Sequence, residues 1–120
     1  MIEKLTSIGY KLTIHDYTLK NNLVYLHHKP VIILFSAIWC SPCQALYPLI
    51  EKISEEYFND IDIYKIDIDY EDSTEIVNFY KLRSVPTLLF INLKGETNMK
   101  SGSCSEKELK SNILEYFNIQ

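Results

Sequence analysis

The sequence has no long apolar run and no cluster of basic residues. Its longest apolar stretch, Val31 to Phe35, is far too short to cross a bilayer. The net charge is −4 and the lysines and arginines are scattered along the chain, whereas a phosphate backbone requires a basic surface. We therefore expect neither a membrane span nor a nucleic-acid partner.

Cysteine is also scarce, and a cleavable export signal is missing. A secreted disulfide scaffold would carry more than the three cysteines of this chain, at wider spacings. The first ten residues include Glu3 and Lys4 and lack the apolar core of a signal peptide. Both features predict a cytoplasmic protein.

Two of the cysteines, Cys40 and Cys43, are separated by only two residues. In a cytoplasmic chain of this size such a pair indicates either redox chemistry or metal binding. A zinc site would need further ligands such as His27 or His28, and no second pair of this spacing exists to complete four ligands. We favour redox chemistry, and we expect the tandem histidines to be a solvated surface at the end of a helix.

The hydrophobic periodicity predicts one α/β domain that spans the 120 residues, with about residues 1–9 as an N-terminal extension. Strand-like and helix-like stretches alternate, which is typical of a sandwich around a mixed sheet. Strands are predicted at 10–14, 31–36, 61–67, 87–93 and 96–100, and helices at 18–27, 43–57, 72–80 and after Ser105.

The cysteine pair falls between the predicted buried strand 31–36 and the helix that follows it. The first turn of a helix offers unpaired backbone N–H groups and the positive end of the helix dipole. Both favour the thiolate of Cys40, which is the reactive form of a cysteine. Pro42 suits this turn because its missing N–H costs nothing there.

The segment Trp39-Cys40-Ser41-Pro42-Cys43 resembles the WCGPC active-site motif of the thioredoxin family, with Ser41 in place of glycine. Further similarities are Pro48 inside the active-site helix, Val85-Pro86-Thr87 at the cis-proline loop, a hairpin at 90–96, and Gly102 in the substrate groove. The resemblance covers the chain from about Tyr10 onward. It implies the thioredoxin fold, a central mixed β-sheet flanked by helices in a three-layer α/β/α sandwich.

The resemblance also implies a dithiol–disulfide exchange mechanism. Cys40 is expected to be the exposed nucleophile that forms a mixed disulfide with a protein substrate. Cys43 is expected to resolve it, which leaves a Cys40–Cys43 disulfide as the redox-active group and requires no other cofactor. The electrons would come from a reductase such as thioredoxin reductase.

Four residues are expected to bind the substrate because they match the family's groove. Val85, before Pro86, would pair its backbone with an extended substrate segment, as in strand addition. Trp39, Val85 and Gly102 would form a flat apolar docking surface.

The chain departs from the family beneath the cysteines, and we expect this departure to modulate the active site together with Ser41 and Pro42. The family buries an aspartate at the position of Leu34, and that acid is thought to accept the proton of the second cysteine. Lys65 matches the lysine that accompanies the acid, so this lysine is expected to be present without its acidic partner. Ser36 replaces a bulky aromatic residue.

Alternatives to a disulfide reductase remain open. A thioredoxin-fold binding module would retain the cysteines incidentally, and a disulfide oxidase or isomerase more often carries a histidine at the position of Pro42. We expect a monomer. Cys104, flanked by polar Ser103 and Ser105, is either an inert apolar residue or an exposed thiol that links two chains.

Overall fold

The computed structural model describes residues 2–18 and 25–119, and within them a five-stranded mixed sheet forms the centre. The strands are β1 Glu3–Lys4, β2 Val31–Ser36, β3 Asp62–Asp67, β4 Thr87–Ile91 and β5 Thr97–Ser101. Their order across the sheet is β1-β3-β2-β4-β5. β3 runs parallel to both β1 and β2, whereas β4 runs antiparallel to β2 and β5.

Helices cover both faces of this sheet. The helices within the described residues are α1 Ser7–Thr13, α2 Ser41–Glu56, α3 Thr74–Tyr80 after a short 3₁₀ turn at Glu71–Ser73, and α4 Glu106–Phe117. Apolar residues of α2 and α4 pack on one face, and those of α1 and α3 pack on the other. This arrangement confirms the three-layer α/β/α sandwich. Among the described helices none is both long and apolar enough to cross a membrane.

The central strand β2 is buried along its whole length, as its continuous apolar run predicts. Ile32 and Leu34 point toward α2 and α4, while Ile33 and Phe35 point toward α1 and α3. A strand alternates its side chains between faces, so only a run apolar at every position can be covered on both sides. The carboxyl end of this strand is where the cysteine motif begins.

The strand predicted for residues 10–14 is wrong, because the chain there belongs to α1. Thr6 caps this helix, with its side-chain oxygen accepting a hydrogen bond from the Gly9 amide at 3.1 Å. Tyr10 and Ile14, four residues apart, are both fully buried. The cap and the helical spacing outweigh the weak alternation.

Residues 2–9, set apart in the sequence as an extension, contribute β1 and the start of α1. Ile2 and Leu5 are buried in the two apolar layers. That the 120 residues form a single domain stays a prediction.

The helix predicted at 18–27 falls largely on residues 19–24, and so its leucines Leu19 and Leu23 lie outside the described residues. Leu26, the third leucine of the proposed apolar face, is described: it is half exposed and not helical. Its amide donates to the carbonyl oxygen of Ile14 at 2.8 Å. The end of the predicted helix is therefore a loop hydrogen-bonded to the residue that follows α1.

Candidate active site

Cys40 and Cys43 form a disulfide at the junction between β2 and α2. Cys40 is the N-cap residue of α2, and its Sγ accepts a hydrogen bond from the Cys43 amide at 3.2 Å. Ser41 and Pro42 occupy the first turn of the helix and are exposed. The predicted placement of the pair at a helix N-terminus is therefore present in the structure.

The cysteine pair is more buried than the sequence suggested. Cys40, expected to be exposed, is only 4% exposed, and Cys43 is 1% exposed. The reason is that both pack with Ala37 against Ile68 and Val85. The exposed apolar surface beside them comes instead from the neighbouring Ile38 and Trp39.

The loop before β4 brings Val85 and Pro86 to the cysteines. The peptide bond between Val85 and Pro86 is cis, and the Val85 carbonyl oxygen lies 3.7 Å from Cys40 Sγ. The Gly102 amide donates to the Pro86 carbonyl oxygen at 2.8 Å. Val85 therefore lies next to Cys40, and Gly102 lies next to Pro86, so the four residues are neighbours on one side of the disulfide.

Gly102 has a backbone conformation that favours glycine. Its φ is +88°, in the left-handed region where a side chain is strained, although nothing lies within 4 Å of where a Cβ would stand. The glycine is thus required by the backbone, and it leaves an open surface beside the Pro86 loop.

Leu34 and Lys65 are register partners on β2 and β3, so they share a face of the sheet. Leu34 is completely buried in the layer beneath α2. Lys65 is not left without an acid, as the sequence suggested, because its ammonium lies 3.7 Å from a carboxylate oxygen of Asp67. Lys4 of β1 lies 3.6 Å from the other oxygen of the same carboxylate.

Asp67 is a residue that sequence reasoning missed. It is 5% exposed, ends β3, and lies beside Ser36, its register partner at the end of β2. Burial, and to a lesser extent the carboxylates of Glu51 and Asp67, raise the pKa of Tyr47, which follows Cys43 by one helical turn. The alternation Lys65–Ile66–Asp67 was the available signal, since residues two apart on a strand share a face.

A groove of about 340 Å³ lies between β5 and the start of α4. Gly102 and Cys104 line it, together with Lys107 and Glu108. Cys104 is half-buried, and burial together with the Glu108 carboxylate raises the pKa of its thiol. The groove therefore extends from Gly102 to α4, with the half-buried Cys104 thiol in its wall.

The two histidines considered as zinc ligands lie at the other end of the sheet. His27 Nε2 is 2.6 Å from a carboxylate oxygen of Asp62, the first residue of β3. The cysteines follow the opposite end of β2. A six-residue strand is about 17 Å long from its first to its last residue, and this length separates the histidines from the cysteines. His27 and His28 therefore cannot complete a metal site with Cys40 and Cys43, and the side chain of His27 is mostly buried rather than solvated.

Comparisons with known proteins agree with this geometry. A family model described as thioredoxin matches residues 12–115. The thioredoxin of Borreliella burgdorferi is 34% identical over 117 residues, which cover 98% of each chain. That of Pyropia yezoensis is 30% identical over 115 residues, or 96% of each chain. That of Buchnera aphidicola subsp. Acyrthosiphon pisum is 40% identical over 84 residues, covering 70% of this chain and 76% of the relative.

Proposed function

Because this chain belongs to the thioredoxin family and is a thiol–disulfide oxidoreductase, we propose that it works as a reductase of protein disulfides. The observation that carries the proposal is the Cys40–Cys43 disulfide at the N-terminus of α2, within reach of the Val85 carbonyl. The reduced Cys40–Cys43 dithiol carries the two electrons that are transferred and becomes the disulfide as it gives them up, so no bound cofactor is needed. A cytoplasmic dithiol donor such as thioredoxin reductase restores the reduced form.

The reaction has two exchange steps. The Cys40 thiolate attacks one sulfur of the substrate disulfide, a mixed disulfide forms, and the other substrate sulfur leaves as a thiolate that takes up a proton. The Cys43 thiolate then attacks Cys40 Sγ and expels the second substrate sulfur, which is also protonated. The substrate has gained two electrons, and the Cys40–Cys43 disulfide has formed.

The start of α2 favours Cys40 as the attacking sulfur. The hydrogen bond from the Cys43 amide and the positive end of the helix dipole both stabilise negative charge on Cys40 Sγ. Ser41 and Pro42 lie in the same turn, and we assign them a modulating role because they stand between the two sulfurs. Pro42, in place of the histidine more frequent in oxidases and isomerases, favours the reductive direction.

Substrate binding is assigned to the surface around the Val85–Pro86 loop. An extended substrate segment would lie alongside Val85 and present its disulfide to Cys40, with Pro86 and Gly102 forming the floor. Trp39 is 68% exposed beside Cys40, which makes it available for apolar contact with the substrate. Such contacts bind many sequences because their attraction does not depend on direction.

A binding module is the rival function, and turnover distinguishes the two. The protein should accelerate the reduction of an interchain disulfide in a test protein when a small dithiol supplies the electrons. A module that only holds a partner would leave the rate at that of the dithiol alone. The exposed apolar surface around Trp39 would serve either function, whereas the paired sulfurs serve only catalysis.

Leu34→Asp is expected to speed the second exchange step near neutral pH. In the wild type, the buried apolar side chain of Leu34 offers no group that can take the proton of the Cys43 thiol. A carboxylate there could act as a general base, at some cost in thermal stability because a charge is buried. Stopped-flow measurement of the resolving step across pH is the test, and the wild-type rate should rise with pH as more thiolate forms.

Leu34→Asn is the matched control for this variant, since it has nearly the same shape without a basic carboxylate. An acceleration in both variants, or in neither, would contradict the proposal that a missing base limits resolution. If neither variant changes the rate, Asp67 is the first candidate for a base already present, and Asp67→Asn should then slow the step.

Cys104 is expected to react slowly with an alkylating reagent. Because a thiol of low reactivity does not readily link two chains through a disulfide, we propose that the chain acts as a monomer. The raised pKa of this thiol leaves little thiolate at neutral pH. With the Cys40–Cys43 disulfide intact, the alkylation of Cys104 at neutral pH should be slower in the folded protein than in the denatured chain. The reaction is followed by intact mass.

Glu108→Gln should raise the alkylation rate of Cys104 by less than about tenfold, the factor for one pKa unit, because burial is the larger cause of the shift. Glutamine preserves the capping hydrogen bond to Ser105. Glu115→Gln, farther along α4, should change nothing. Rapid alkylation of the folded wild type would contradict the expected slow reaction of Cys104, and a disulfide-linked dimer in air would contradict the monomer proposal.

A further inference from the structure

His27, His28 and Asp62 form a cluster of metal-ligating side chains that the redox function does not use. One donor atom from each residue lies within 4.8 Å of the other two. We propose that this cluster binds a divalent transition-metal ion, with Zn²⁺ as the first candidate. The proposal is independent of the disulfide chemistry, because the cluster lies at the opposite end of β2 and β3.

The backbone around the cluster is held in place before any ion binds. The Leu26 amide donates to the Ile14 carbonyl oxygen at 2.8 Å, and the Tyr25 hydroxyl donates to the Lys29 carbonyl oxygen at 2.6 Å. The Asp62 amide donates to the Pro30 carbonyl oxygen at 3.0 Å. These bonds fix the segment that carries both histidines against the start of β3, and a fixed backbone reduces the entropy lost on binding.

The donor set suits zinc. Two imidazole nitrogens and one carboxylate oxygen are a ligand combination that leaves a fourth tetrahedral position for water. Magnesium and calcium prefer sites built from oxygen atoms alone. The two imidazoles therefore favour a transition metal.

The adjustment required for binding is small. Ligand atoms around a tetrahedral zinc ion lie about 3.4 Å apart, given bonds of about 2.0–2.1 Å. His27 Nε2 and Asp62 Oδ2, now 2.6 Å apart, would separate by less than about 1 Å as the ion replaces the shared proton. His28 is exposed, and its ring already lies beside that of His27, at a ring distance of 4.8 Å, so only a small rotation is needed to bring it to the ion.

Lys29 is a competing positive charge. Its Nζ lies 3.6 Å from Asp62 Oδ1, the oxygen that faces away from His27, and donates to the Phe58 carbonyl oxygen at 3.1 Å. The charge of Lys29 repels a metal ion, but Lys29 leaves Oδ2 of Asp62 available as a ligand. We therefore expect Lys29→Gln to bind the metal more tightly than the wild type does.

The test is titration of the full chain with Zn²⁺ by calorimetry. The protein is kept oxidised, and Cys104→Ser is present in every variant, so that no thiol can bind the ion. One zinc ion should bind per chain, and His28→Ala should weaken binding at least tenfold. His15→Ala, which removes a histidine outside the cluster, should leave binding unchanged.

A second measurement guards against loss of fold. Saturating Zn²⁺ should raise the Tm of the Cys104→Ser protein, because a ligand that binds only the folded state stabilises it. At the same Zn²⁺ concentration the rise should be smaller in His28→Ala, whose side chain is exposed, and larger in Lys29→Gln. Absence of zinc binding, or equal weakening by His15→Ala and His28→Ala, would overturn the proposal.

Discussion

Cys40→Ser is expected to lower the rate of disulfide reduction to that of the small dithiol alone. Serine has nearly the size of cysteine, and its hydroxyl is not ionised at neutral pH, so it cannot displace a sulfur from a disulfide. Because Cys40 packs with Ala37, Ile68 and Val85, the small change in volume should leave the fold intact. The assay is the reduction of an interchain disulfide in a test protein, with electrons supplied by the dithiol.

The control for this variant is Cys104→Ser, which removes the thiol outside the disulfide and should retain the wild-type rate. Circular dichroism and thermal unfolding of both variants would show that the loss is chemical. A Cys40→Ser protein that keeps even half of the wild-type rate would contradict the role of Cys40 as the attacking sulfur.

Cys43→Ser is expected to accumulate a covalent adduct with the substrate instead of turning over. Cys40 can still attack, and no second thiol stands beside it to release the substrate. The adduct should appear by intact mass and on a non-reducing gel, and it should disappear when excess dithiol is added. Cys40 is 4% exposed and Cys43 is 1% exposed in the oxidised protein, so the trapping assay rather than burial distinguishes the roles of the two sulfurs.

The double variant Cys40→Ser/Cys43→Ser should form no adduct, which shows that trapping depends on Cys40. An adduct in Cys40→Ser and none in Cys43→Ser would mean that the two sulfurs have exchanged roles. The hydrogen bond from the Cys43 amide to Cys40 Sγ would then stabilise the sulfur that resolves the mixed disulfide rather than the one that attacks the substrate.

The sequence predicted the elements whose signals are local and strong. The continuous apolar run of β2 predicts a central strand. Ser105 followed three residues later by Glu108 is the pattern of a capping box, and it predicts the start of α4. Both hydrogen bonds of that capping box are present, at 2.9 and 3.1 Å. The cysteine motif lies where the order of strand and helix predicted it, because its position depends only on those two neighbours.

The sequence failed where distant contacts decide the outcome. The helical spacing of Ile76 and Phe79 predicts that both are buried, yet Phe79 of α3 is 49% exposed and stacks on Tyr17 at a ring distance of 4.3 Å. Leu114 of α4 is likewise 47% exposed. A helix shows which residues share a face, but the width of the covered stripe depends on the neighbouring elements.

The electrostatic pairs were hidden from the sequence for the same reason. Asp67 meets Lys4 only because β1 pairs with β3, and β1 is two residues long. His27 meets Asp62 across 35 residues of chain. No periodicity reports the contact of Asp67 with Lys4 or that of Asp62 with His27, and both emerge only from the folded arrangement. The contact of Asp67 with Lys65 is different, because the alternation of the strand already places these two residues on one face.

Redox titration of the Cys40–Cys43 pair tests most directly whether the protein is a reductase. The protein would be equilibrated with dithiol–disulfide buffers of known potential, and its reduced fraction counted by alkylation and intact mass in the Cys104→Ser background. We expect a single two-electron transition nearer to about −270 mV, typical of thioredoxin, than to about −120 mV, typical of a strong disulfide oxidant. A transition at the oxidising end, or cysteines that do not exchange with the buffer, would contradict a function in protein disulfide reduction.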